Sequence, residues 1–355
     1  MVTDTSVDVV LPDAPVISAL MLRYLHSCRG EKEKGCTPPV TKKPMNPEQI
    51  ISYVNDRFPV SANEAELLRE SSDNQIWKLK SDQDIRAYFL RISKRDIKDD
   101  VAFEATWLEI LAQAGIPVPP LVRTKSDTPF DTSLEIGTTT LFEEVHGMHL
   151  DFGKEVFPNK QQVSSAARML STIHEVSSKK SVTLPRQRTI LTELSRVEKI
   201  RDTLNPNESG NTEFLSAVDE YLKWANEQKL EPVLIHNDYR VGNLLFEDDQ
   251  VTAVLDFDWS CIGPAIKDLA HALAEWSYPD GADSHNEDVF QTFLDAYNSA
   301  SSHPLKRDSM LYRWIAFSCL SDTATFVVDR IERGEPKLPR QSYMFSKFRH
   351  FKALI

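Results

Sequence analysis

Apolar positions recur along the chain with two different periods, and their order predicts a series of elements. From Pro47 the spacing is helical, with Asn46 as N-cap, Pro47 in the first turn and Ile50, Ile51 and Val54 along one face. Three β-like runs follow at 66–69, 75–80 and 86–92, then an amphipathic helix over 101–114 that ends at Gly115. The proline-rich 116–120 stretch is extended, 125–137 is polar and turn-rich, and 138–145 reads as a further strand running towards Gly147. The period then turns helical. A helix over 161–176 carries Val163, Ala166, Ala167, Leu170 and Ile173 on one face, and helices over 191–204 and 214–230 come after it. Two short apolar runs, 233–235 and 251–255, interrupt this series. Helices over 264–276, 290–297, 310–330 and 345–351 close the chain.

The stretch 232–276 carries the candidate chemistry, because each of its short apolar runs delivers a carboxylate at its C-terminal end. The first opens into H-N-D-Y-R-V-G-N, with Asp238 and Asn243 five residues apart; the second ends in D-F-D, with Asp256 first. Phosphoryl transfer from a nucleotide needs this set: a carboxylate to take the acceptor hydroxyl's proton, and oxygen donors to hold Mg²⁺ on the phosphates. Asp238 is the candidate base, and Asn243 and Asp256 are the candidate metal ligands. The competing reading is a solvated hairpin with incidental acids, since D-x-x-x-x-N recurs by chance. His236, the flanking apolar runs and the second acid motif weigh against it.

H-N-D-Y-R-V-G-N followed by L-D-F-D-W resembles the catalytic segment of the aminoglycoside phosphotransferase, choline kinase and homoserine kinase superfamily. It is similar to the kinase pattern H-R-D-x-x-x-x-N plus D-F-G, with Asn237 in place of Arg and Asp258 in place of Gly. The resemblance implies an α+β, two-lobed protein-kinase-like fold with an antiparallel-sheet N-lobe over 45–146 and a mainly helical C-lobe over 147–355. Residues 1–44 are turn-rich and charged, and read as a flexible leader. ATP and Mg²⁺ are the implied cofactors. Arg91 stands where the fold places its phosphate-binding cation, with Glu104 as partner; an Arg there can grip phosphate bidentately. The Ser71-Ser72-Asp73-Asn74 turn would lie above the phosphates and offer the Ser72 hydroxyl, although it lacks the glycines of a phosphate loop and an ordinary hairpin turn fits it as well. Adenine would pair with the hinge through the carbonyl of Glu143 and the N–H of Val145. Asp268 would brace the catalytic loop, and His174 reads as helix packing ahead of chemistry.

Only eleven residues separate Asp256 from Asp268, and no A-P-E follows, so there is no room for the platform on which protein kinases hold a peptide. The expected acceptor is a small hydroxyl compound. Charge adds a preference for a cationic one. The net charge is −12, and between Asn205 and Ala300 there are 19 Asp and Glu against 4 Lys and Arg. The same acidity excludes nucleic acid and an anionic membrane surface as main partners. Trp259, Trp276, Tyr278 and Trp314 are candidates for an aromatic cage around a quaternary amine, with core packing as the alternative. The chain of 355 residues, 41% of them hydrophobic, can bury an ample core. Its four cysteines have no paired spacing, and no run reaches bilayer length, so the expected location is the cytoplasm. A nucleotide-binding regulator or pseudokinase without turnover is the second reading from another class.

Overall fold

The computed structural model describes residues 45–355 apart from 72–73, 95–97, 154, 181, 183, 209 and 336–337. The expected leader, 1–44, lies outside the described residues.

Helix α1 (Pro47–Arg57) opens on a reciprocal cap. The Asn46 side chain accepts the Gln49 N–H at 2.9 Å, and the Gln49 side chain accepts the Asn46 N–H at 3.0 Å, an arrangement worth about 1 kcal/mol. Its apolar face, Ile50 and Val54, packs with Phe58 on Trp77, Leu79, Leu90, Ile92 and Leu141 of a five-stranded antiparallel sheet. The strands are β1 (Glu64–Glu70), β2 (Asn74–Lys80), β3 (Tyr88–Ser93), β4 (Leu121–Val122) and β5 (Thr138–Glu143), in the order β1-β2-β3-β5-β4. β2 alternates half-buried and buried residues, as a strand with one face on a core must. The third strand starts at Tyr88 rather than Arg86. Ala87 instead donates to the Glu144 carboxylate at 3.1 Å and accepts the Glu144 N–H at 2.9 Å. Helix α2 (Lys98–Gln113) sits between β3 and β4 in the chain.

The second lobe is built on helices α3 (Lys160–Ser178), α4 (Thr192–Arg196), α5 (Asn211–Asn226), α6 (Ala265–Ser277), α7 (Glu287–Ala300), α8 (Ser309–Glu332) and α9 (Tyr343–Lys352). One helix expected over 191–204 is in fact two pieces. After Arg196 it tightens into a 3₁₀ segment, Val197–Thr203, a common way for a short helix to end. The core of this lobe is one continuous cluster in which Leu170, Phe214, Leu273, Trp314 and Phe348 are fully buried.

Two small hairpin-like ribbons carry the acid motifs. β6 (Pro232–Ile235) pairs antiparallel with β9 (Cys261–Pro264), and β7 (Leu244–Glu247) pairs with β8 (Gln250–Val254). The sequence gives no sign of β9: Gly263 and Pro264 suggest a helix start, and α6 begins only at Ala265. Gly263 lets the strands pack closely there: a Cβ would lie 2.7 Å from the Ile190 Cγ2 and 2.9 Å from the Ile235 Cδ1, so those side chains would have to shift to admit one.

The link between the lobes is stitched to the second ribbon. Met148 exchanges both backbone hydrogen bonds with Phe246 at 2.9 Å, and the Thr252 hydroxyl donates to the His146 carbonyl at 2.9 Å. Gly147, at φ +136°, fits only without a side chain. A Cβ would collide with the Thr252 hydroxyl and lie 2.8 Å from the Leu245 Cβ.

Candidate active site

The loop after β6 is fixed from behind by one carboxylate. Asp268, near the start of α6 and fully buried, accepts the N–H of His236 at 2.7 Å and of Asn237 at 2.8 Å, and its Oδ2 also meets His174 Nε2 at 3.0 Å. Burial pushes its carboxyl up, but His174, His236 and Lys267 outweigh that and hold it at about 2. His174 is anchored in turn at 2.8 Å by the Tyr297 hydroxyl. His236 is buried, and burial holds it neutral against the pull of Asp268 and Asp238. Its Nε2 lies 2.8 Å from the Leu255 carbonyl and so carries the proton, which leaves Nδ1 to accept the Asp238 N–H at 3.3 Å. Asn237 adopts φ +67°, a left-handed conformation that Asn tolerates better than most residues. Its side chain accepts from Lys267 of α6 and donates to the Trp259 carbonyl at 3.0 Å. A turn held this firmly projects the next side chain, Asp238, outward.

The carboxylate of Asp238 accepts from the Asn243 Nδ2 at 2.8 Å and lies 3.2 Å from the Arg240 Nε. Burial raises its pKa, yet Arg240, His271, His236 and Asn243 together pull it below the ordinary value, so the group is an ionised acceptor at neutral pH. Asn243 spends the same Nδ2 on the Asp238 carbonyl, also at 2.8 Å, which turns its Oδ1 away from Asp238. Its backbone carbonyl accepts the Leu255 N–H at 2.8 Å. That bond ties the first loop to the residue preceding Asp256.

Asp256 itself sits at φ 62°, ψ 63°, left-handed for a residue with a side chain. Its surface is open to solvent but it is walled in by protein. That enclosure, with Asp258 and Asp238 beside it, outweighs Arg91 and Arg240 and raises its carboxyl to about 6. A carboxylate crowded by others of its own sign gains from any cation that comes to it. Among the described residues no group of three or more His, Cys, Asp or Glu is placed to hold a metal. Two hard donors, Asp256 and Asn243, fit Mg²⁺ that completes its shell with phosphate oxygens and water.

From the sheet side, Arg91 of β3 and Glu104 of α2 form a buried bidentate pair, with Nη1–Oε1 at 2.9 Å and Nη2–Oε2 at 2.5 Å. Arg91 feels Asp256 and Asp258 as well, which places its guanidinium near the 256–258 loop. Its Nε–H is buried without an acceptor among the described residues. Ser72 lies outside the described residues. Its neighbour Ser71 uses its hydroxyl within the turn, accepting the Asn74 N–H at 3.0 Å, as in an ordinary hairpin. At the hinge, the Glu143 N–H is bonded to the Pro120 carbonyl at 2.9 Å, and Val145 packs on Leu245, Ala253 and Leu255 of the β7–β8 ribbon.

The structure therefore brings Asp238, Asn243, Asp256, Arg91 and Glu104 into one neighbourhood, linked by the contacts just described. It does not build the aromatic cage. Trp276 packs on Phe293, Trp314 on Trp224 and Phe317, and Tyr278 on Phe351, all in the helical core, because side chains so large gain most from full burial. Trp259 stacks under the Arg188 guanidinium at 4.0 Å. Three residues were missed by sequence reasoning. Arg240 was in plain view within the motif, two residues after Asp238. Lys267 had a faint signal as a charged residue on the buried side of an apolar helix. Arg186, which grips the Asp258 and Ser260 carbonyls, had none.

Fold and site together define the class: a small-molecule phosphotransferase with a kinase-like architecture. A model of the phosphotransferase enzyme family matches residues 64–306, from β1 to beyond α7, and the chain belongs to that family. Among curated relatives, the homoserine kinase of Methylobacterium nodulans is 26% identical over 220 residues, which cover 60% of this chain and 65% of that one. Among solved structures, amicoumacin kinase in complex with AMP-PNP and Ca²⁺ has a TM-score of 0.68 at 14% identity, covering 86% of this chain and 93% of its own. Spectinomycin phosphotransferase in complex with ADP and spectinomycin has a TM-score of 0.59 at 15% identity, covering 88% of this chain and 95% of its own.

Proposed function

We propose that the chain is an ATP- and Mg²⁺-dependent O-phosphotransferase acting on a small hydroxylated amine or hydroxy amino acid. The observation that carries this is the joining of the two acid loops. The Asn243 side chain holds Asp238, and the Asn243 carbonyl holds the residue before Asp256. In this reading Asp238 accepts the acceptor's hydroxyl proton and orients its oxygen, while Arg240 and Asn243 keep the carboxylate ionised and fixed. Asn243 and Asp256 hold the divalent ion, which when bound neutralises charge developing on the phosphates. Arg91, steadied by Glu104, meets the α and β phosphates, and a phosphate oxygen is the natural acceptor for its unpaired Nε–H. Glu143 and Val145 of the hinge hold adenine, with 45–146 as nucleotide lobe and 147–355 as acceptor lobe. The acidity of 205–300 favours a cationic group on the acceptor. The cytoplasm supplies ATP and suits the two buried free thiols, Cys261 and Cys319.

The test is Mg²⁺-dependent ATP consumption over a panel of amino alcohols, amino sugars and hydroxy amino acids, homoserine included, read by mass spectrometry for a gain of one phosphate. Asp238→Asn should keep nucleotide binding and lose roughly 10²–10⁴-fold in turnover. Turnover equal to wild type in that variant removes Asp238 as base. Nucleotide binding with no transfer to any acceptor moves the assignment to a nucleotide-binding regulator.

A further inference from the structure

Arg186 has no place in the reaction as described so far, yet it is one of the most fully engaged side chains in the molecule. It lies on the segment between α3 and α4 with a side chain 6% exposed. Its Nε donates to the Ser260 carbonyl at 2.8 Å and its Nη2 to the Asp258 carbonyl at 2.7 Å. Between those two, the Trp259 carbonyl is taken by Asn237 of the catalytic loop at 3.0 Å. Three successive carbonyls after Asp256 and Phe257 are thus held by side chains from outside the loop. The remaining arm of Arg186 reaches the other lobe: Nη1 donates to the Asp100 carbonyl at 3.2 Å and lies 3.4 Å from the Asp100 Oδ2. Asp100 Oδ1 accepts the Gln187 N–H at 2.8 Å, and the Arg186 guanidinium sits 5.3 Å over the Phe103 ring. Asp100 and Phe103 belong to α2, the helix that carries Glu104 and so holds Arg91.

We infer that Arg186 is a positioning residue that locks the metal-bearing loop to helix α2, so that the Asp256 carboxylate and the Arg91 guanidinium are set at one fixed separation. A planar guanidinium can do this because its donors diverge in a rigid fork and reach carbonyls on two elements at once; a lysine in the same place offers one point of attachment. The two ends it joins are those that would grip the same triphosphate, one through the ion and the other directly. Locking them before ligand arrives removes an ordering cost from metal-nucleotide binding. The inference rests on the reading of Asp256 as a metal ligand.

The experiment compares wild type with Arg186→Lys and Asp100→Asn, neither of which touches nucleotide or acceptor. AMP-PNP affinity is measured by calorimetry with and without Mg²⁺, and amide exchange over 257–261 is measured in the ligand-free proteins. Arg186→Lys should keep metal-free nucleotide affinity within about twofold, cut the enhancement by Mg²⁺ at least fivefold, and speed exchange over 257–261. Asp100→Asn keeps the acceptor for the Gln187 N–H and should shift both readouts the same way by less. The inference is overturned if the Mg²⁺ enhancement and loop exchange stay within twofold of wild type in both variants. It is equally overturned if metal-free and metal-dependent affinities fall together, as a general brace would make them. Should Arg186→Lys not fold, Asp100→Asn decides alone. A wild type whose nucleotide affinity ignores Mg²⁺ removes the metal-ligand reading instead, and the ligand-free exchange rates still decide what Arg186 holds.

Discussion

Replacing Asp268 by Asn tests whether the catalytic loop is held from behind. The carboxylate accepts two backbone N–H bonds, at 2.7 and 2.8 Å, and meets His174 at 3.0 Å. An amide of the same shape keeps one oxygen and turns an NH₂ towards a donor, so one of the His236 and Asn237 amides loses its acceptor in a fully buried site. Hydrogen bonds to a charged group are worth about 1.5–3 kcal/mol each, and the orphaned amide adds its own desolvation, so a loss of roughly 3–5 kcal/mol in folding free energy is expected. An independent route gives a smaller figure. Lowering the carboxyl from its ordinary 3.8 to about 2 is worth roughly 2.5 kcal/mol. The two differ because linkage compares the carboxylate with its protonated form, which still accepts one bond, whereas the variant also installs a misplaced donor. The sign follows from the depression: this stability is complete above pH about 4 and is lost as pH falls through about 2. Urea unfolding at pH 7 should therefore show the larger loss in Asp268→Asn. The fall in stability from pH 4 to pH 2 should be about 2 kcal/mol shallower in the variant than in wild type. Turnover at pH 7 should drop roughly 10²-fold in the folded fraction, since Asp238, the proposed base, rides on the loosened loop. A variant within 0.5 kcal/mol of wild type, with turnover intact, would refute the reasoning.

Four further outcomes follow from the geometry. With its carboxyl raised to about 6, Asp256 in its proposed role would be contested by protons, so the half-saturating Mg²⁺ concentration should rise about tenfold for each pH step of one below that value; a flat profile between pH 5 and 7 contradicts that proposed role. In the metal-free protein, Asp256→Asn should be slightly more stable at pH 7, by about 1 kcal/mol once solvent screening of so open a group is allowed for, as read from urea midpoints. Glu104→Gln leaves the Arg91 guanidinium half-paired and should weaken nucleotide binding about tenfold, roughly 1.4 kcal/mol by calorimetry, with acceptor KM unchanged. Gly147→Ala, strained at φ +136° and pressed on the Leu245 Cβ, should lower stability by about 2–3 kcal/mol in urea unfolding.

Much of this architecture was legible in the residues because the period of apolar positions is set by the element that buries them. The helices at α3 and α8 and the strands at β2 and β8 announce themselves in that way. The acid motifs stood out for a different reason: the proposed chemistry calls for a base and metal donors at strand ends, which would compress the site into one stretch. What stayed hidden depends on contacts distant in sequence. β9 exists because β6 needs a partner and Gly263 lets it approach. Arg186 works on carbonyls more than seventy residues away, and carbonyls have no sequence. The choice between a cage and core packing for Trp276, Trp314 and Tyr278 was open on the same ground, with core packing the commoner fate, because a ring buried in a core and a ring lining a cavity look alike until the helices are packed.

The connection between the lobes is tied down on both sides of a single residue. Glu144 is bonded to Ala87, just before β3, His146 and Met148 to the β7–β8 ribbon, and only Val145 lies between those anchors. Arg186 fastens the lobes a second time, far along the chain, between the Asp258 and Ser260 carbonyls and Asp100 of α2. Two seams so widely spaced leave the connecting chain almost no slack, so a ligand seated between them would meet walls already set at their spacing.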